Sequence, residues 1–125
     1  MVNNPYNQYM KSSIMTTPPE ELAIMLYEGA MKFLKRAMIY LEDKNIEKVN
    51  EAILKVQDIT IEFMSKVDTE YEVGKQLFSL YEYIYRRLIE ANMKKDPEIL
   101  NEIYGMYEEL RDTWQEAIKI ARRGK

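Results

Sequence analysis

With neither histidine nor cysteine among its 125 residues, this chain can assemble chemistry only from carboxylates, amines, phenols and hydroxyls. Imidazole acid–base catalysis, histidine phosphotransfer, thiolate nucleophiles, zinc thiolate sites, disulfides and the Glu-x-x-His ligands of di-iron bundles are all excluded. The carboxylate pairs Glu42-Asp43 and Glu108-Glu109 read as solvated rather than metal-binding, and no carboxylate pair stands on an apolar stripe where burial would shift its pKa. Gly29, Gly74, Gly105 and Gly124 are isolated, so no glycine-rich loop can cradle a phosphate. No enzyme activity, metal or cofactor is expected.

Arg86-Arg87 and Lys94-Lys95, beside Tyr83 and Tyr85, resemble a basic patch with stacking platforms. Glu82 and Glu90 lie one helical turn away, so intrahelical ion pairs are the simpler reading. The formal charge, 18 − 21 = −3 with both signs interspersed, gives no field to gather a polyanion, and nucleic acid is not an expected partner. The N-terminus MVNNPYNQYM lacks the features of a signal peptide, and no apolar run approaches a membrane span, so a cytoplasmic protein without membrane insertion is expected.

What remains is a surplus of apolar surface on helices. From Leu77 to Met93, the residues Leu77, Tyr81, Ile84, Leu88 and Ala91 make one stripe at about 100° per residue. Phe78, Tyr85 and Ile89 form a second row beside it, and Leu80 lies on the other edge. Together they cover an arc of about 180°, where a surface helix needs about 100°. Such a helix is either wedged between several neighbours or keeps part of its surface for a partner.

The elements around it read as helices too. Thr17-Pro18-Pro19-Glu20 is a helix start, with Thr17 capping and Glu20 completing a capping box. The helix that follows runs to about Glu42, with a core stripe of Leu22, Leu26, Ala30, Phe33, Ala37 and Tyr40 or Leu41. Ile24, Tyr27, Met31 and Met38 form another row. The second helix, capped by Asn45, follows Ile46, Val49, Ile53, Val56, Ile59 or Thr60, Phe63 and Val67. Leu54 and Ile61, one heptad apart, lie off that stripe. Asp96-Pro97 starts the last helix, whose stripe Leu100, Ile103, Tyr107, Leu110, Trp114, Ala117 and Ala121 is expected to face the core throughout. Asn92, near the stripe of the third helix, is expected to brace the turn toward Asp96.

Four helices joined by short turns predict an all-α, antiparallel up-down-up-down four-helix bundle over residues 17–125. Residues 1–16 read as a mobile segment that still carries apolar surface at Tyr6, Tyr9, Met10, Ile14 and Met15.

Several stretches resemble the flagellin export chaperone family, FliS. They are Asn4-Pro5-Tyr6 with Tyr9, Thr17 to Leu22, and Met25-Leu26-Tyr27-Glu28-Gly29-Ala30. The second half adds Leu80 to Leu88, Glu90-Ala91-Asn92 with Asp96, and Leu110-Arg111-Asp112-x-Trp114. The sequence departs from the family pattern at Pro18 and in a glycine-rich start of the third helix reduced to Gly74. The resemblance implies a cytoplasmic bundle that binds the C-terminal segment of flagellin, prevents premature polymerisation and presents it to the flagellar type III export gate.

An amphipathic flagellin terminus would borrow its missing core face from the surplus rows. The expected flagellin-binding residues are Leu54, Ile61, Phe78, Tyr85 and Ile89, with Ile24, Tyr27 and Met31 as a second contact row. Tyr6, Tyr9, Met10 and Ile14 are expected to cover apolar surface until flagellin displaces them. The rival expectation is a self-associating structural bundle or adaptor, in which the same rows bury each other in a homodimer without flagellin.

Overall fold

The computed structural model describes residues 19–124, which form four helices: α1 (Pro19–Glu42), α2 (Ile46–Lys66), α3 (Glu72–Lys94) and α4 (Pro97–Arg123). The expected Thr17 cap and the expected mobile segment 1–16 lie outside the described residues. Each helix packs on its neighbours in sequence, and α1 also packs on α4. This closes the antiparallel bundle as a ring in the order α1, α2, α3, α4.

Short-range chemistry explains the two tightest turns. At the end of α1, Lys44 adopts φ 59°, Asn45 N–H donates to the Tyr40 carbonyl and Lys44 N–H to the Leu41 carbonyl. This is the Schellman arrangement, here with lysine in the left-handed position that glycine usually takes. Asn45 then caps α2 by accepting from the Lys48 N–H at 3.3 Å. The α3–α4 turn repeats the device: Lys95 has φ 51°, Asp96 N–H reaches the Ala91 carbonyl, and the Asp96 carboxylate accepts from Glu98 N–H at 2.9 Å. The α2–α3 link works differently. It folds so closely over the first turn of α3 that a Cβ at Gly74 would stand 1.7 Å from the Asp68 carbonyl oxygen.

The core is layered where all four helices meet. Leu34, Ile53, Ile84, Leu88, Leu100 and Ile103 are fully enclosed. Polar groups enter this core in satisfied pairs. The Tyr27 and Tyr81 hydroxyls meet at 2.5 Å, and Thr60 joins the Tyr107 hydroxyl while donating to the Val56 carbonyl at 2.8 Å. Phe63 stacks on both Tyr27 and Tyr81, with ring centroids 4.5 and 5.1 Å away. Among the described residues no buried side-chain N or O lacks a hydrogen-bond partner.

Two expectations need correction, and a third is met with an addition. On α1 the core includes Tyr27, Met31 and Leu34; because α1 packs on both α2 and α4, its buried arc is wider than one stripe. On α4 the expected stripe is buried only as far as Tyr107, while Trp114 is 40% exposed and Ala117 and Ala121 are exposed. The Arg87–Glu102 pair sets the register of α3 against α4. Counting outward from it places Trp114 and Ala117 beside the first turn of α3, so the last turns of α4 run beyond that neighbour. Finally, Asn92 braces the turn toward Asp96 and also ties it to α2: Lys95 of that turn donates to the Asn92 carbonyl and to its Oδ1, while Asn92 Nδ2 donates to Asn50 Oδ1 at 2.7 Å.

Candidate binding surface

The Asn50–Asn92 bond identifies which flanks of α2 and α3 look at each other. At about 100° per residue, Leu54 and Ile61 lie within about 40° of Asn50, and Phe78, Tyr85 and Ile89 within about 60° of Asn92. All five therefore flank one seam. Leu54, Ile61 and Ile89 are 46%, 47% and 39% exposed, and Phe78 and Tyr85 are half-buried. The result is an aliphatic strip along the seam with an aromatic edge. Ile46, expected in the core, is half exposed on the same flank of α2, and Met93 is exposed beside Asn92. The first turn of a helix has few neighbours to cover it, which the periodicity of Ile46 could not reveal.

The second expected row does not join this strip. Tyr27 and Met31 are enclosed in the core, Tyr27 because the Tyr81 hydroxyl satisfies its own. Ile24 is half-buried on the opposite seam, where it lines a cleft of about 220 Å³ with Gln115, Ile118 and Arg122 of α4. Tyr6, Tyr9, Met10 and Ile14 lie outside the described residues.

A smaller apolar pocket of about 200 Å³ sits on the α3–α4 seam between Leu80, Met106 and Leu110. Sequence reading placed Leu80 at an edge but not Met106, which follows Gly105 and belongs to no stripe. Beside it the expected intrahelical pairing of Arg87 with Glu90, at 2.7 Å, is joined by a cross-helix clamp. Glu102 accepts from the Tyr83 hydroxyl at 2.6 Å and from Arg87 Nε at 2.9 Å. The Tyr83 hydroxyl foremost, and then Arg87, hold the Glu102 carboxyl below the usual range. Arg87 is thus a structural tie between helices.

Burial shifts the core phenols the other way. Tyr27, Tyr81 and Tyr107 all titrate above the ordinary value of 10.0, because enclosure penalises the phenolate. Glu42, Asp43, Glu108 and Glu109 are exposed, and among the described residues no cluster of three or more acidic side chains is arranged to hold a metal ion. Nor is any described helix long and apolar enough to cross a membrane.

Comparison with known proteins agrees with the sequence resemblance. The family model described as flagellar protein FliS matches residues 2–121. The flagellar secretion chaperone FliS of Bacillus subtilis is 36% identical over 124 residues, covering 99% of this chain and 93% of its own length. Its counterpart from Salmonella typhimurium is 30% identical over 86% of this chain and 82% of its own. That from Campylobacter jejuni is 30% identical over 93% of each. The family match over nearly the whole chain and the 36% identity to a full-length relative show that the chain belongs to the FliS family, and the relatives it matches are flagellar secretion chaperones.

Proposed function

We propose that this protein binds the C-terminal segment of flagellin in the cytoplasm, keeps it from polymerising prematurely and helps deliver it to the flagellar export gate. The observation that carries the reading is the apolar strip along the α2–α3 seam, where Leu54, Ile61 and Ile89 stand about half exposed beside Phe78 and Tyr85. A poorly ordered amphipathic segment can fold on such a surface, gaining there the apolar contacts it lacks alone. The N-terminal residues Tyr6, Tyr9, Met10 and Ile14 would cover apolar surface in the free protein and leave when flagellin binds.

Calorimetric titration with a peptide of the flagellin C-terminal segment tests the reading. Each of the three exposed aliphatic side chains has about 1 kcal/mol of burial left to gain. The triple variant Leu54→Ala/Ile61→Ala/Ile89→Ala should therefore bind roughly 100-fold more weakly. Unchanged affinity would remove the strip from the flagellin site. The same row could instead pair with a second copy; light scattering of the free protein and a 1:1 complex with the peptide separate the two arrangements.

A further inference from the structure

Three of the four seams of the bundle match polar groups across the gap. Glu21 meets Arg122 and Glu28 meets Arg111 between α1 and α4. Glu102 is shared by Tyr83 and Arg87 between α3 and α4, and Asn50 meets Asn92 between α2 and α3. The α1–α2 seam gathers cations. There Arg36 of α1 lines a cleft of about 200 Å³ with Lys48 and Lys55 of α2, and among the described residues Glu51 is the single carboxylate lining it. Neither Lys48 nor Lys55 forms an ion pair with a described residue.

The cleft also carries aromatic surface. Phe33 and Tyr40 line it, with Lys48 Nζ 5.9 Å from the Tyr40 ring centroid and the Arg36 guanidinium 5.8 Å from that of Phe33. Phe33 and Tyr40 are seven residues apart, as are Lys48 and Lys55. Aromatic surface and positive charge thus recur together at about 10.5 Å, the rise of one heptad of helix. That periodicity is the complement of a helix bearing carboxylates at i and i+7 with apolar residues between.

We propose that the α1–α2 cleft docks an acidic amphipathic helix of another protein, with carboxylates one heptad apart on Lys48 and Lys55 and an apolar side chain between them against Phe33 and Tyr40. Residues 1–18 hold Lys11 and no Asp or Glu, so their charge does not complement the cleft. Nor is the occupant nucleic acid: three cations on a chain of formal charge −3 are too few to hold a polyanion. The cleft uses the flank of α2 away from Leu54 and Ile61, so it can be filled while the α2–α3 strip is occupied.

The test uses the full-length protein and a synthetic helical peptide with Glu at i and i+7 and Leu at i+3 and i+4, beside a counterpart with Gln replacing both Glu. The acidic peptide should shift the amide resonances of residues 33–40 and 48–55. Binding should weaken about tenfold for the Gln peptide, for Lys48→Glu/Lys55→Glu and for the milder Lys48→Gln/Lys55→Gln, and also at high salt. Affinity for the flagellin peptide should be unchanged in both variants. Four results would overturn the proposal: equal binding of the Gln peptide, shifts confined to the α2–α3 flank, a single-stranded oligonucleotide outcompeting the acidic peptide, or salt-sensitive dimers of the free protein formed through the cleft. Loss of flagellin binding in step with the lysines would overturn the independence of the two sites.

Discussion

Replacing Tyr27 by Phe removes one hydroxyl and leaves another stranded. Tyr27 and Tyr81 are 4% and 2% exposed, and their hydroxyls are paired at 2.5 Å. In Tyr27→Phe the Tyr81 hydroxyl keeps its burial and loses this partner. The penalty for an unsatisfied buried hydroxyl is about 1–3 kcal/mol. Tyr81→Phe should cost a similar amount, because it strands Tyr27 in the same way. The double variant replaces a polar pair by two apolar rings of matching shape, so its cost should be no greater than that of either single change. The coupling between the two positions should therefore be at least as large as one single cost, about 1–3 kcal/mol. Urea unfolding followed by circular dichroism at 222 nm measures all four corners of the cycle, and an unchanged m-value would show that the compactness of both end states is preserved. Flagellin-peptide affinity should not change in Tyr27→Phe, since that side chain lies in the core. A neutral Tyr27→Phe, or strict additivity in the double variant, would refute the paired-hydroxyl account; a loss of peptide affinity without loss of stability would return Tyr27 to the binding surface.

Other consequences follow from the turns and the buried phenols. Gly74→Ala would place its Cβ against the Asp68 carbonyl; thermal melts should show a loss of several degrees as the α2–α3 link is pushed off α3. Lys44→Gly relieves a left-handed non-glycine residue and should raise stability by about 0.5–1 kcal/mol. Lys95→Gly should gain less, because it loses the Lys95 hydrogen bond to the Asn92 carbonyl. Alkali should unfold the bundle cooperatively. Tyr27, Tyr81 and Tyr107 titrate above 10.0 in the folded chain, so their stabilisation is complete below pH 10 and is lost as pH rises beyond it. Phenolate absorbance and helix loss should therefore rise together above pH 10, and phenolate formation from all three in an intact bundle would contradict their enclosure.

The bundle itself was legible because its determinants are local. Periodicity gave α2 its Val49, Ile53 and Val56 stripe and α3 its Tyr81, Ile84, Leu88 and Ala91 stripe, while Asn45 and Asp96 announced the caps. The exposed Leu54, Ile61 and Ile89 were legible for the same reason, as aliphatics out of phase with their own stripe. Burial of Tyr27 was not, since it depends on a hydroxyl 54 positions away. Nor was the exposure of Trp114 and Ala117, which depends on where the neighbouring helix begins. The basic cleft stayed hidden because Lys48 and Lys55 look like ordinary solvated residues until α1 brings Arg36, Phe33 and Tyr40 alongside them.

One experiment bears most directly on the role of the α2–α3 seam: proton–nitrogen shift mapping of the labelled protein as a C-terminal flagellin peptide is added. Perturbations should centre on Leu54, Ile61, Phe78, Tyr85 and Ile89, with the buried stripe of α4 from Leu100 to Tyr107 little affected. Saturable binding whose perturbations leave that seam silent, or no binding at all, would contradict that role.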